Sequence, residues 1–283
     1  METIRMPRVM QETSKRYLHT GKTIGFVPTM GALHEGHLSL IRRAKSENDI
    51  VVASIFVNPL QFGAGEDLDI YPRDLEKDLD KLRELDTNIL FVPGDKIIYP
   101  EGFATRIAVE RLSDRLCGRF RPDHFSGVAT VVCKLFNIVK PARAYFGQKD
   151  FQQTVVISRM VEDLNMDVEV VICPTVRESD GLAMSSRNVY LGAKERLAAT
   201  VLYKALSSCS QMMAGPSTPN EVKKKLLEML SAEPLVSEIQ YAGIYDPATL
   251  LEIDEFKQRN LIAAAIKVGG VRLIDNVMAE YHK

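Results

Sequence analysis

Phe26-Val-Pro-Thr-Met-Gly-Ala-Leu-His-Glu-Gly-His-Leu-Ser-Leu40 is the stretch on which the reading of this chain turns. A short apolar strand, Thr23 to Val27, runs into a Pro/Gly-containing turn, then two histidines three residues apart, then a helical pattern from about Gly36 to Glu47. Residues three apart share a helix face, so His34 and His37 point the same way at the start of that helix. A helix N-terminus carries unpaired N–H groups and positive partial charge, which suits a phosphate chain. Two imidazoles there add donors to phosphate oxygens as charge builds on them. The blander alternative is a pair of surface histidines beside a turn. The conjunction of strand, turn, histidine pair and helix argues for the chemistry.

Outward from this stretch the pattern alternates. Ile50-Val-Val-Ala-Ser-Ile-Phe-Val57 is nearly continuous apolar sequence, as in a strand buried on both faces. Pro72 can open a helix through Asp74–Leu85, and Asn88–Val92 reads as a strand. His124–Lys140 places Phe125, Val128, Val132, Leu135, Phe136 and Val139 at helical spacing until Pro141 stops it. Arg143–Phe146 and Val168–Cys173 read as strands around a helix at Phe151–Leu164. Such alternation predicts an α/β fold with a Rossmann-like doubly wound parallel sheet. After about residue 176 the character becomes α+β. Helices are expected near Ala193–Met213 and Pro219–Ser231, then strands at Ser237–Tyr245, Leu261–Val268 and Val271–Asn276, with Gly269-Gly270 as a hairpin turn. The expected domains are therefore 1–176 and a smaller C-terminal one, 177–283, closing over the site.

Bulk properties narrow the function. The chain has 283 residues, 46% of them apolar and 26% charged, enough for a large core. A net charge of −1 argues against a nucleic-acid partner. No apolar run reaches membrane-span length, and Met1-Glu-Thr-Ile-Arg does not begin a signal peptide, so a cytoplasmic protein is expected. Cys117, Cys133, Cys173 and Cys209 form no CxxC pair and read as reduced thiols rather than zinc ligands.

Three more segments hold polar residues that a core does not need. Phe56-Val-Asn-Pro-Leu-Gln-Phe62 follows the buried strand, at the carboxyl end where open α/β sheets bind ligands. Asn58 and Gln61 there can grip hydroxyl and carboxylate oxygens, or simply make a turn. In Phe146-Gly-Gln-Lys-Asp-Phe-Gln-Gln153, Gly147 permits close backbone approach and Lys149 offers a point charge for phosphate. Asp150 can cap the helix or reach a metal through water. Gln152 and Gln153 point about 100° apart on a helix, so one of them faces a ligand. Arg177-Glu-Ser-Asp-Gly-Leu-Ala-Met-Ser-Ser-Arg-Asn188 is either a loop that closes over a triphosphate or a linker with a helix cap.

In this order, and with Arg121-Pro-Asp-His-Phe-Ser-Gly-Val-Ala-Thr130, these segments closely resemble the pantothenate synthetase (pantoate–β-alanine ligase) family over nearly the whole chain. PTMGALHEGH is similar to that family's form of the His-x-Gly-His signature of nucleotidylyl transferases, and Met184-Ser-Ser-Arg-Asn188 to a KMSKS-type loop. The resemblance implies an ATP-dependent ligation. ATP and (R)-pantoate give pantoyl adenylate and pyrophosphate, and β-alanine then displaces AMP to give pantothenate. It places Met30, Gly31, Ala32, Leu33, His34, Glu35, Gly36 and His37 at ATP, with His37 as proton donor and His34 and Lys149 beside it in catalysis. Gly147, Gln148, Lys149, Asp150, Val176, Met184, Ser185, Ser186 and Arg187 also fall in ATP-binding positions. Gln61 matches a contact to pantoate and β-alanine, Gln153 a second pantoate contact, and Asn58 and Tyr71 further substrate contacts. Mg²⁺ accompanying ATP and a homodimer are implied too, and the metal's ligands are left unassigned. One departure stands out, since Gln148 occupies a position where Glu is more often expected.

Two other readings remain beside this one. A nucleotidyltransferase acting on a phosphate monoester would want a basic cluster for its acceptor, where this chain has Asn58, Gln61 and Gln153. A nucleotide-binding protein without turnover would bind ATP and make no product.

Overall fold

The computed structural model describes residues 1–63 and 65–281. Its elements run β1 (Glu2–Ile4), α1 (Pro7–His19), β2 (Ile24–Thr29), α2 (Glu35–Glu47), β3 (Ile50–Ile55), α3 (Leu75–Glu84), β4 (Ile89–Phe91) and α4 (Asp95–Ile98). Then come α5 (His124–Val139), β5 (Arg143–Gly147), α6 (Phe151–Asp163), β6 (Glu169–Cys173), α7 (Ala193–Ala198), α8 (Val201–Met212), α9 (Pro219–Ser231), β7 (Val236–Tyr245), β8 (Arg259–Val268) and β9 (Val271–Glu280).

The first six strands form one parallel sheet in the order β1-β4-β3-β2-β5-β6. β3 lies centrally and five of its six residues are buried, which its nearly unbroken apolar run requires. From β2 the chain steps outward through β3 and β4, then crosses back so that β5 pairs with the other side of β2, Gly25 opposite Arg143 and Phe26 opposite Ala144. The strand order thus reverses between β2 and β5, the place where doubly wound sheets open a crevice at their carboxyl ends. One core cluster joins Val27, Leu40, Ile41, Ala44, Leu82, Leu90 and Tyr145 across the sheet and its helices. The expected α/β fold is present. β1 and α1, which precede the alternating pattern expected from residue 23, extend the sheet at its edge, where the three-residue β1 pairs with β4.

The chain folds into two compact units. One comprises Met1–Ser113, Arg121–Gly147 and Val156–Pro174; the other takes Asp114–Phe120, Gln148–Val155 and the chain from Thr175 onward. In the second unit, β7, β8 and β9 form an antiparallel sheet whose β8–β9 hairpin turns through Gly269 and Gly270, at φ 54° and 83°. Two residues with positive φ make the tight turn that this dipeptide favours. α8 and α9 share a core with the sheet through Leu202, Leu206, Leu226, Leu230, Ile244 and Ile266. The helix expected over Ala193–Met213 is two helices, α7 and α8, separated at Ala199-Thr200. Helix α9 starts where Thr218 and Glu221 cap one another around Pro219.

Candidate active site

In the first unit, the turn after β2 is held in an unusual backbone. Gly31 has φ 80° and Ala32 φ 49°, so successive N–H groups converge. Asp78 of α3 receives them: Ala32 N–H donates to Oδ2 at 2.8 Å and Leu33 N–H to Oδ1 at 2.7 Å. The Lys81 ammonium, one turn further along α3, donates to the Leu33 carbonyl. Burial pushes the Asp78 carboxyl above its ordinary value, against the pull of those two N–H donors. Asp78 went unremarked in the sequence. Its signal is an acidic residue on the apolar stripe Leu75, Leu79, Leu82 of an otherwise solvated helix.

His34 then caps α2 with extended backbone, φ −129° and ψ 174°, and its carbonyl accepts the His37 N–H at 2.8 Å. The His34 N–H donates back to His37 Nδ1 at 3.4 Å. A ring nitrogen that accepts a backbone N–H carries no proton, so neutral His37 holds its proton on Nε2. The two imidazoles lie with centroids 4.1 Å apart and planes 37° apart. The expected shared face of His34 and His37 is therefore present, and both residues are half-buried.

The turn after β3 carries Asn58 and Gln61. Asn58 is 1% exposed and its amide is committed: Nδ2 donates to Gln61 Oε1 and to the Gly127 carbonyl, each at 3.1 Å, while Oδ1 accepts from Tyr99 at 2.8 Å and from Leu60 N–H at 3.3 Å. Gln61 Nε2 meets the Met30 thioether, linking this turn to the one after β2. The Gln61 carbonyl accepts from His124 Nδ1 at 2.8 Å and from Arg121 at 3.2 Å, and Arg121 pairs with Glu66. Burial raises the Glu66 carboxyl, but the guanidinium outweighs it and leaves the group below its ordinary value. The Arg121–Thr130 run thus buttresses the turn that bears Gln61. Tyr71 is 4% exposed and packs edge-on against Phe62.

In the second unit, the chain leaving β5 makes a short turn, Gln148–Asp150. The Lys149 side chain is 20% exposed and its ammonium sits 3.7 Å from Asp150. Gln152 is 5% exposed; its amide donates to the Arg115 carbonyl at 2.7 Å and accepts the Cys117 N–H at 2.9 Å. It is used structurally, and Gln153 is the half-buried member of the pair. The Val176 carbonyl accepts from Met184 N–H at 3.0 Å and Arg177 bridges Ala183, so residues 176–184 form a small hairpin. Ser185 follows as a cap, its Oγ accepting the Arg187 N–H at 3.3 Å. Ser185, Ser186 and Arg187 are each half-buried. Gly181 at φ 92° closes the hairpin against Tyr203, where a Cβ would come within 2.6 Å of the ring.

In the first unit, a parallel sheet with polar turns after β2 and β3, and a histidine pair at the start of the helix after β2, has the form of a nucleotide-binding α/β enzyme. The comparisons with known proteins carry this to a particular family. The family described as pantoate–β-alanine ligase matches residues 2–278. A pantothenate synthetase from Thermodesulfovibrio yellowstonii is 62% identical over 99% of this chain and 100% of its own. A pantothenate synthetase structure from Thermus thermophilus superposes at a TM-score of 0.94 with 47% identity, covering 98% of this chain and 99% of that one. A Francisella tularensis pantoate–β-alanine ligase, complexed with beta-gamma ATP and beta-alanine, gives 0.80 at 38% identity, over 98% and 97% of the two chains. The chain belongs to the pantoate–β-alanine ligase family, whose activity is the ATP-dependent joining of pantoate to β-alanine.

Proposed function

We propose that this chain makes pantothenate in two steps and that the residues named above divide the work. The pantoate carboxylate is a poor acyl donor; attack of its oxygen on the α-phosphorus of ATP expels pyrophosphate and turns it into a good leaving group. The β-alanine amine then attacks the activated carbonyl, and AMP departs. No protein nucleophile is needed. Catalysis rests on holding the reactants in line and meeting the developing negative charge with fixed donors.

His37 carries this assignment. With Nδ1 accepting the His34 N–H, its proton stands on Nε2, the ring atom that can donate to phosphate oxygen. Met30 through His37 take the ATP phosphates, the turn being set by Asp78. Gly147–Asp150, Val176 and Met184–Arg187 contribute to ATP as well, Lys149 as a cation and Ser185, Ser186 and Arg187 as donors. Gln61 and Gln153 hold pantoate, with Gln61 also meeting β-alanine. Asn58 positions Gln61 from beneath, since its own amide is committed to Gln61, Gly127, Leu60 and Tyr99. Tyr71 lines the same turn through Phe62.

Mg²⁺ belongs with the nucleotide in this scheme. Among the described residues no three His, Cys, Asp or Glu side chains cluster to hold a metal, and Asp150 is a lone carboxylate beside Lys149. Such a donor set suits a cation that arrives on the triphosphate and keeps its waters. All four cysteines are free thiols, as in a reducing compartment, and among the described residues no helix is long and apolar enough to cross a membrane. A cytoplasmic homodimer is part of the proposal, and light scattering tests the stoichiometry.

The test of function incubates the protein with ATP, Mg²⁺ and (R)-pantoate, then adds β-alanine, following AMP and pantothenate by mass spectrometry. Pantothenate that forms only with every component present supports the reading. ATP consumption without amide product points to another acceptor, and binding without consumption to a protein that does no chemistry.

A further inference from the structure

The departure at Gln148 has a partner elsewhere in the second unit. Asn276 of β9, 3% exposed, turns its side chain onto the 148–150 turn. Its Nδ2 donates to the carbonyls of Gln148 and Lys149, each at 3.0 Å. Those two acceptors fix which way the amide points, because carbonyls receive only from the NH₂ group. Oδ1 therefore has to face Gln148, whose Nε2 donates to it at 3.3 Å. A carboxylate at position 148 would set oxygen against oxygen.

The neighbouring residue on β9 reaches the other segment. Asp275, also 3% exposed, pairs with Arg177 through both carboxylate oxygens, at 2.5 and 3.0 Å. The guanidinium lies 3.7 Å over the Tyr203 ring and also donates to the Gly181 carbonyl at 3.2 Å and the Asn276 carbonyl at 3.4 Å. Asp275 thus anchors the first arm of the 176–184 hairpin that leads to Ser185, and the Asn276 N–H donates to the Asp275 Oδ1 at 2.8 Å. Two adjacent residues of one strand hold both polar segments of this unit.

We infer that Asp275 and Asn276 are positioning residues for the adenylation step, and that Gln148 is matched to Asn276 in setting the 148–150 turn. This rests on the assignment of that turn and of Met184–Arg187 to ATP. Neither β9 side chain has to touch a reactant. Their effect is to fix where the Lys149 ammonium and the hydroxyls after Met184 stand when pyrophosphate leaves. The step from adenylate to amide has no departing pyrophosphate, so it depends far less on their placement.

The experiment compares wild-type protein with N276A, Q148E, the double variant N276A/Q148E, and K149A. Pyrophosphate release in a single turnover with ATP and pantoate reads the first step. Amide formation from pre-synthesised pantoyl adenylate and β-alanine reads the second. N276A and Q148E are each expected to slow the first step by about 10- to 100-fold, the scale of a misplacement near 1 Å. The second step should stay within a few-fold. In the N276A background Q148E should cost nothing more, since the contact it spoils is already gone. Wild-type adenylation in N276A, equal losses in both steps, or additive losses in the double variant each overturn the inference. Q148E leaves the β9 core untouched, so it remains informative if N276A folds poorly. K149A separates the two levels of argument. Slowed adenylation in K149A beside unaffected N276A removes only the inference, whereas unaffected K149A removes the ATP assignment of the turn and the inference with it.

Discussion

Gly127 is where the backbone of helix α5 lies against the turn that carries Gln61, and Gly127→Ala tests how closely that turn must be placed. A Cβ at this position would lie 2.1 Å from the Leu60 carbonyl oxygen, 2.4 Å from its carbon and 2.8 Å from the Gln61 nitrogen. Ordinary contact begins at about 3.5 Å, so the backbone of residues 60–61 has to retreat by roughly 1 Å or more. The neighbour is main chain, with no rotamer to yield. Retreat also strains the Asn58 bond to the Gly127 carbonyl and the His124 bond to the Gln61 carbonyl. Two effects on stability oppose each other. Overpacking costs about 1–3 kcal/mol, while replacing a helical glycine by alanine returns about 1 kcal/mol. The net is about 0–2 kcal/mol of destabilisation, too little to unfold a typical domain. Activity should suffer more, because a displacement near 1 Å at a substrate contact, the role proposed for Gln61, costs about 100-fold. The assay is pyrophosphate release at saturating ATP with pantoate varied. G127A is expected to lose about two orders of magnitude in kcat/KM for pantoate, with a melting temperature only a few degrees lower. A variant within twofold of wild type would refute both the contact and the role given to Gln61.

Three further outcomes are expected. His37→Ala should slow adenylate formation by about 100- to 1,000-fold, the scale of removing one donor from an oxyanion site, with ATP affinity changed far less; rapid-quench measurement of the first step checks it. Asp78→Asn sets an NH₂ group against one of the two N–H donors of Ala32 and Leu33, costing about 2 kcal/mol. It should raise KM for ATP, and calorimetry with ATP titration reads both effects. Asp246 governs acid stability in the second unit. Burial pushes its carboxyl up, but Lys257 and the N–H groups of Thr249 and Ala248 prevail and bring it down to about 2. With the folded value below the unfolded one near 3.8, its contribution is whole well above that value and is lost as pH falls towards 2. Thermal unfolding between those pH values should therefore be steeper for wild type than for D246N, and equal slopes would exclude the linkage.

The sheet was legible because its strands announce themselves one at a time. Ile50–Ile55 is apolar but for Ser54, and the helices that follow β2 and β3 each have one wet face. What the sequence concealed is where partners meet across long separations. Asp78 lies 46 residues from Ala32, and Asn276 lies 128 from Gln148. Each sits in a segment whose local pattern reads as ordinary helix or strand. His34 and His37 were readable because the cap and the third residue of a helix start face one another, although His34 itself stands outside the helix in extended backbone. Asn58 and Gln61 share one turn, yet only the packing against Gly127 and Tyr99 separates the buried amide from the half-buried one. The break between α7 and α8 had no proline or glycine to mark it; Ala199 and Thr200 keep helical backbone angles there.

The unremarked residues share one physical task. A group meant to hold a reactant has to be fixed before the reactant arrives, or the reorganisation adds to the barrier of the reaction itself. Backbone turns fix themselves poorly, because their N–H and carbonyl groups compete with water. In this chain the three polar turns are each tied by a side chain from a regular element: Asp78 of α3 for the turn after β2, His124 of α5 for the turn after β3, and Asn276 of β9 for the turn after β5. Each tie uses hydrogen bonds to main chain, so it constrains the side chains that the turn displays only where the tying group also meets one of them, as Asn276 meets Gln148. That division lets the displayed residues be chosen for chemistry, and it explains why an amide can stand at position 148 provided that Asn276 presents oxygen to it.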